Sequence, residues 1–94
     1  MGELSVDEIT EVIQVMLVED LYLDVDWSAT GVDDGLVDEL GLGSLELSEL
    51  RALCEMRFGV QIEELDFNPV HFHSVGTLAA FVAAQVNQGT AAAQ

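Results

Sequence analysis

Apolar residues recur at helical intervals in three separated segments, and that spacing restricts this chain to a small helical bundle. Val6, Ile9, Ile13, Met16 and Leu17 mark the first segment. It opens on Ser5 and Glu8 at capping-box spacing and is predicted to run from about Val6 to about Glu19. Asp7, Glu8 and Glu11 suit its first turn, where the helix dipole favours negative charge. The second segment is predicted from Ser44 to Phe58, with Leu47, Leu50, Leu53, Cys54 and Phe58 mostly inward and Gly59 available to stop it. Ser74 caps the last, in which Val75, Leu78, Phe81, Val82 and Val86 form the apolar stripe.

Between the first two helices the chain loses its period, collects Gly31, Gly35 and many acids, and reads as a long ordered loop containing a short helical turn. Trp27, Leu36, Val37, Leu40 and Leu42 are its expected inward anchors. Val60-Gln61-Ile62 reads as extended, and Glu63 to Phe67 as one short helical turn closed by Asn68-Pro69. The fold class expected is therefore all-α: three main helices, one short helix and a long first loop.

At 94 residues the chain suffices for one domain, residues 1–94, with an ordered core over about 5–87 and a flexible tail over 88–94. Its 18 Asp and Glu against 2 Arg give a formal charge of -16. That balance argues against nucleic acid, whose binding requires cations to neutralise phosphates, and against anionic membrane surfaces. Positively charged protein surfaces are the natural complement, with association accelerated by the field and slowed by salt. No apolar run approaches the length of a spanning helix, and no basic, apolar leader opens the chain, so a cytoplasmic monomer is expected. Cys54 has no second cysteine to pair with and lies on the apolar stripe, which makes it a core residue rather than a reactive thiol.

The segment Gly41-Leu42-Gly43-Ser44-Leu45-Glu46-Leu47-Ser48-Glu49-Leu50 places one serine where a glycine-containing loop enters a leucine-rich acidic helix. Arg57-Phe58-Gly59-Val60-Gln61-Ile62 and Ser74-Val75-Gly76-Thr77-Leu78 follow it in order. On these motifs the stretch from Val37 to Val82 resembles an acyl carrier protein. The resemblance implies that Ser44 is the attachment point of 4'-phosphopantetheine, transferred from coenzyme A by a phosphopantetheinyl transferase. The thiol of that arm would hold acyl groups as thioesters and hand them between enzymes, so the chain would be a carrier and not an enzyme. A serine opening a helix is more often only an N-cap, and without the resemblance that plainer reading would prevail.

The family's usual aspartate before the serine is replaced by Gly43, which removes a carboxylate from the place where the transferase docks. The resemblance also puts partner docking on the second helix, with Leu45, Ser48 and Ala52 at the apolar contact positions and Glu46 and Glu49 at the acidic ones. Loading, condensing and other acyl-processing enzymes with basic surfaces are the partners implied. The acidic helix resembles fatty-acid or polyketide carriers more than peptidyl carriers. Because Met1 lies only a few residues before the first helix and no linker follows the last, a discrete carrier is expected.

Competing motifs are incomplete. Asp24, Asp26 and Ser28 begin like a calcium loop, yet its sixth and twelfth positions hold Ala29 and Gly35, where glycine and a bidentate glutamate are needed. Diffuse divalent binding by the loop acids stays open. His71 and His73 have no third ligand nearby, so no metal site is expected. Leu42 and Glu46 stand where a nucleophile elbow around Ser44 would need glycine, and Glu46 also breaks the GxGxxG phosphate-loop pattern begun by Gly41 and Gly43. Other functions weighed are an aminoacyl or peptidyl carrier, told apart by loading from an adenylating enzyme, an unmodified carrier-like interaction module, which would be indifferent to Ser44→Ala, and an acidic divalent-ion sensor, whose calcium-dependent structural change at micromolar metal is not expected.

Overall fold

The computed structural model describes residues 5–92, and the side chains of residues 5–87 within that range. Its elements are α1 (Val6–Val15), continued by a π-helical turn (Met16–Asp20), α2 (Ser44–Phe58), a 3-10 turn (Glu64–Asp66) and α3 (Val75–Ala92). No strand occurs among the described residues, and the all-helical expectation holds. The tail expected from residue 88 is helical in backbone to Ala92, while the side chains of 88–92 and all of 93–94 lie outside the described residues.

Helix α1 starts where the capping box puts it. Ser5 Oγ accepts the Glu8 N–H at 3.1 Å and Glu8 Oε1 accepts the Ser5 N–H at 2.9 Å, so two otherwise orphan donors are satisfied. Ile9 and Ile13 bury one face against α3, and the π turn brings in Met16 and Leu17 as well. The expected helix to Glu19 thus ends in a widened last turn, where the Leu21 N–H reaches the Met16 carbonyl at 3.0 Å. Tyr22 then adopts φ 59, and the Leu23 N–H closes back on the Leu17 carbonyl at 2.9 Å. A left-handed non-glycine residue costs roughly 1–2 kcal/mol, which the burial of Leu17 next to this exit offsets.

The loop is pinned to the start of α3. Leu36 N–H donates to the His73 carbonyl at 2.7 Å, and Gly76 N–H to the Val32 carbonyl at 2.8 Å. Gly76 is needed for this approach: a Cβ there would stand 3.2 Å from Asp33 Oδ1 and 3.3 Å from the Val32 carbonyl oxygen. Residues 36–40 form one turn, with Leu36 buried and Leu40 half-buried, as a four-residue spacing allows. Val37, expected inward, is turned out of that pair and is 52% exposed. Gly41 at φ 78 ends the turn and aims the chain into α2.

Leu50 and Cys54 anchor α2 in the core beside Ile62 and Phe72. Gly59 closes the helix at φ 66, its N–H bonded to the Glu55 carbonyl at 3.0 Å. Ser74 and Thr77 cap α3 reciprocally, through Thr77 N–H to Ser74 Oγ at 3.2 Å and Ser74 N–H to Thr77 Oγ1 at 2.9 Å. Val75, Leu78, Ala79, Val82 and Ala83 are the buried face of α3. No helix among the described residues is long and apolar enough to cross a membrane.

Candidate functional site

Ser44 is the first residue of α2, and the cap position before it belongs to Gly43. Gly43 has no side chain to accept a first-turn N–H, whereas α1 and α3 are capped by Ser5 and Ser74. Helix α2 therefore keeps unbonded N–H groups and the positive end of its dipole beside an exposed serine. Among the described residues none bonds to Ser44 Oγ, so capping does not explain the serine. The one side chain engaged at this terminus is Glu46, whose Oε1 accepts the Gly43 N–H at 2.9 Å.

Beside Ser44 opens a mostly apolar, half-open cavity of about 500 Å³. Gly35, Val37 and Asp38 of the loop, Ser44, Leu47 and Ser48 of α2, and parts of the segment between Phe67 and His73 form its walls. Phe67 and Phe72 stand edge to face in it, with ring centroids 4.9 Å apart and planes at 83°. Asp38, Asn68 and His73 bring polar groups to the lining. A size of this order suits a small organic group, since ligand pockets run from roughly 300 to 1,000 Å³.

On the outer face of α2, Leu45 is 71% exposed, and Ser48, Glu49 and Ala52 are exposed with it. Glu46 is different: it is half-buried and holds the helix start, so its carboxylate is committed locally. Met56, 79% exposed, extends the stripe begun by Leu45 and Ala52. Sequence reasoning left Met56 out, although its spacing of four from Ala52 and eleven from Leu45 returns it to that face. Likewise Val37, Phe67 and Asn68 join the site only through tertiary packing.

Elsewhere the chemistry is quiet. Cys54 is fully buried, and desolvation first, with Glu55 beside it second, pushes its thiol up to about 12. His71 stacks on Phe81 at 4.3 Å and its Nδ1 lies 3.1 Å from the Asp66 carbonyl, while His73 faces the cavity. No group of three metal-ligating side chains occurs among the described residues. Asp26 sits below the usual carboxylate range because the Ser28 hydroxyl and N–H bond to it, which explains that aspartate as the brace of a turn.

An exposed serine at an uncapped helix start, above an apolar cavity in a small acidic bundle, defines a carrier domain. The family model described as "phosphopantetheine attachment site" matches residues 11–82. The chain belongs to that family of carrier proteins, of which acyl carrier proteins are members, and its cofactor is covalent 4'-phosphopantetheine. No significant match is found among individual curated proteins. The residues fit the group: free N–H donors at the start of α2 suit a phosphodiester, and the cavity beside them suits an uncharged arm. Carrier domains of this kind serve phosphopantetheinyl transferases and acyl-processing enzymes, and are in general not catalysts themselves.

Proposed function

We propose that Ser44 carries the 4'-phosphopantetheine and that the protein shuttles acyl intermediates of polyketide or fatty-acid type between enzymes. The observation that supports this most is the pairing of a free, exposed hydroxyl with a glycine-capped helix start at the cavity mouth. When bound, the arm supplies a thiol on which acyl groups are held as thioesters. Ser44 supplies the oxygen of the phosphodiester, the N–H groups behind it stabilise the phosphate charge, and the cavity walls shelter the neighbouring chain from water. The exposed face of Leu45, Ser48, Glu49 and Ala52, joined by Met56, is the docking surface for partners with basic rims.

Mass spectrometry after incubation with coenzyme A, magnesium and a broad-specificity phosphopantetheinyl transferase tests the assignment. One phosphopantetheinyl group is expected on the peptide bearing Ser44, and none on Ser44→Ala. No gain on folded protein with several transferases would reject the carrier role of Ser44 and favour an unmodified interaction module.

A further inference from the structure

Arg51 and Glu55, one turn apart on α2, together grip the backbone of a single residue in the segment that follows. Arg51 Nη2 donates to the Ile62 carbonyl, and the Ile62 N–H donates to Glu55 Oε2 at 2.8 Å. Ile62 is only 1% exposed, so the pair satisfies both polar groups of a residue fixed in the core. Arg51 Nη1 also lies 3.2 Å from Glu64 Oε2, but Glu64 is 88% exposed and adds little to the grip.

The same guanidinium reaches the cavity. Its central carbon is 5.0 Å from the ring centroid of Phe67, within cation–π range, and Phe67 stands edge to face against Phe72. Both rings wall the cavity beside Ser44. An unbroken set of contacts therefore runs from the Ile62 carbonyl through Arg51 to the cavity wall. Arg51 is one of 2 cations among 18 acids, and its side chain is 22% exposed, turned to this contact rather than spread over the acidic surface.

We propose that Arg51 and Glu55 are positioning residues that fix the Phe67–Phe72 wall, set the depth of the cavity and so select the length of acyl chain sheltered beside Ser44. The proposal rests on the carrier reading of Ser44. While the clamp holds, a short linear chain fits between the arm's attachment point and the rings, and a longer one stays in solvent. Releasing the clamp frees Phe67 to move and moves that limit.

The test loads acetyl-, hexanoyl- and decanoyl-phosphopantetheine from the matching coenzyme A thioesters, with a phosphopantetheinyl transferase, onto the wild type, Arg51→Met, Arg51→Lys, Glu55→Met and Glu64→Gln. Thioester hydrolysis is followed by mass spectrometry at fixed pH. In the wild type the hexanoyl form should outlast the decanoyl form. In Arg51→Met and Glu55→Met the hexanoyl-to-decanoyl lifetime ratio should fall at least about three-fold, a modest demand beside the ~10-fold or more that one methylene commands in some apolar pockets. Arg51→Lys, which keeps the cation near Phe67, should restore part of the ratio, and Glu64→Gln should leave it unchanged.

A merely structural clamp would speed amide exchange at Ile62 in the unloaded variants without altering the length ratio, and that result overturns the proposal. A flat length profile in the loaded wild type overturns it too. Should Arg51→Met not fold, Arg51→Lys and Glu55→Met decide the matter. Failure of every form to accept an arm at Ser44 would instead sink the carrier reading on which the proposal depends.

Discussion

Glycine at position 43 is not demanded by the backbone, whose φ of -92 and ψ of -177 any residue adopts. What a side chain there would meet is Glu46: a Cβ would lie 3.0 Å from its Oε1, so the carboxylate must shift. Aspartate could cap the helix in its place, but caps by Asp and Gly differ by only a few tenths of a kcal/mol, and the new charge would join an acidic neighbourhood. Gly43→Asp is therefore expected to melt within about 3 °C of the wild type, yet to be accepted by more phosphopantetheinyl transferases. Equal rates for both proteins across a transferase panel would contradict the second half. Cys54 makes a cleaner statement. With its thiol buried and pushed up to about 12, the unloaded protein should show no fast-reacting thiol at neutral pH, and the loaded protein one. Its pKa is raised above the unfolded value, so the stability linked to it is present below about pH 9 and declines as pH rises toward the folded value of about 12. Rapid labelling of Cys54 in folded protein would contradict this.

At the scale of the element, α2 separates two acids that look alike in sequence. Glu46 bonds the Gly43 N–H and Glu49 is exposed without a structural bond among the described residues. Glu46→Ala should cost ~0.5–1 kcal/mol in urea unfolding, while Glu49→Ala should change stability by less than about 0.5 kcal/mol. Glu49→Lys should nevertheless slow acyl transfer to a basic partner several-fold, measured at low salt, through the loss of charge complementarity. An equal loss of stability for both alanine variants would refute the division. The capping signals at Ser5, Glu8, Gly59 and Ser74 were legible because each acts within a few residues. The π turn, Tyr22 in its left-handed conformation and the outward turn of Val37 were not, since tertiary packing, for the π turn against α2, overrides local period there. Ser44 could be singled out by its motif, whereas Arg51 on Ile62 and Phe67 joins residues 11 and more apart and has no local signature.

Charge acts on the molecule as a whole. A formal charge of -16 on 94 residues repels itself, and Arg51, one of its two arginines, does little to relieve it, because it is held on Ile62 and Phe67. Asp33 lies beside Gly76 at the start of α3, where the helix dipole favours a carboxylate, so the repulsion that remains is that of the acidic surface as a whole. Salt should relieve this. Raising sodium chloride from ~10 mM to ~150 mM shortens the screening length from about 30 Å to about 8 Å. If screening contributes ~1 kcal/mol, the melting temperature should rise by about 4–8 °C. The same screening slows association with basic partners, so stability and docking rate should move in opposite directions with salt. Calcium chloride at matched ionic strength distinguishes general screening from a site. With no group of three ligating side chains among the described residues, it should raise the melting temperature no more than sodium chloride does. A calcium-specific gain saturating at micromolar metal would mean that the loop acids converge on an ion.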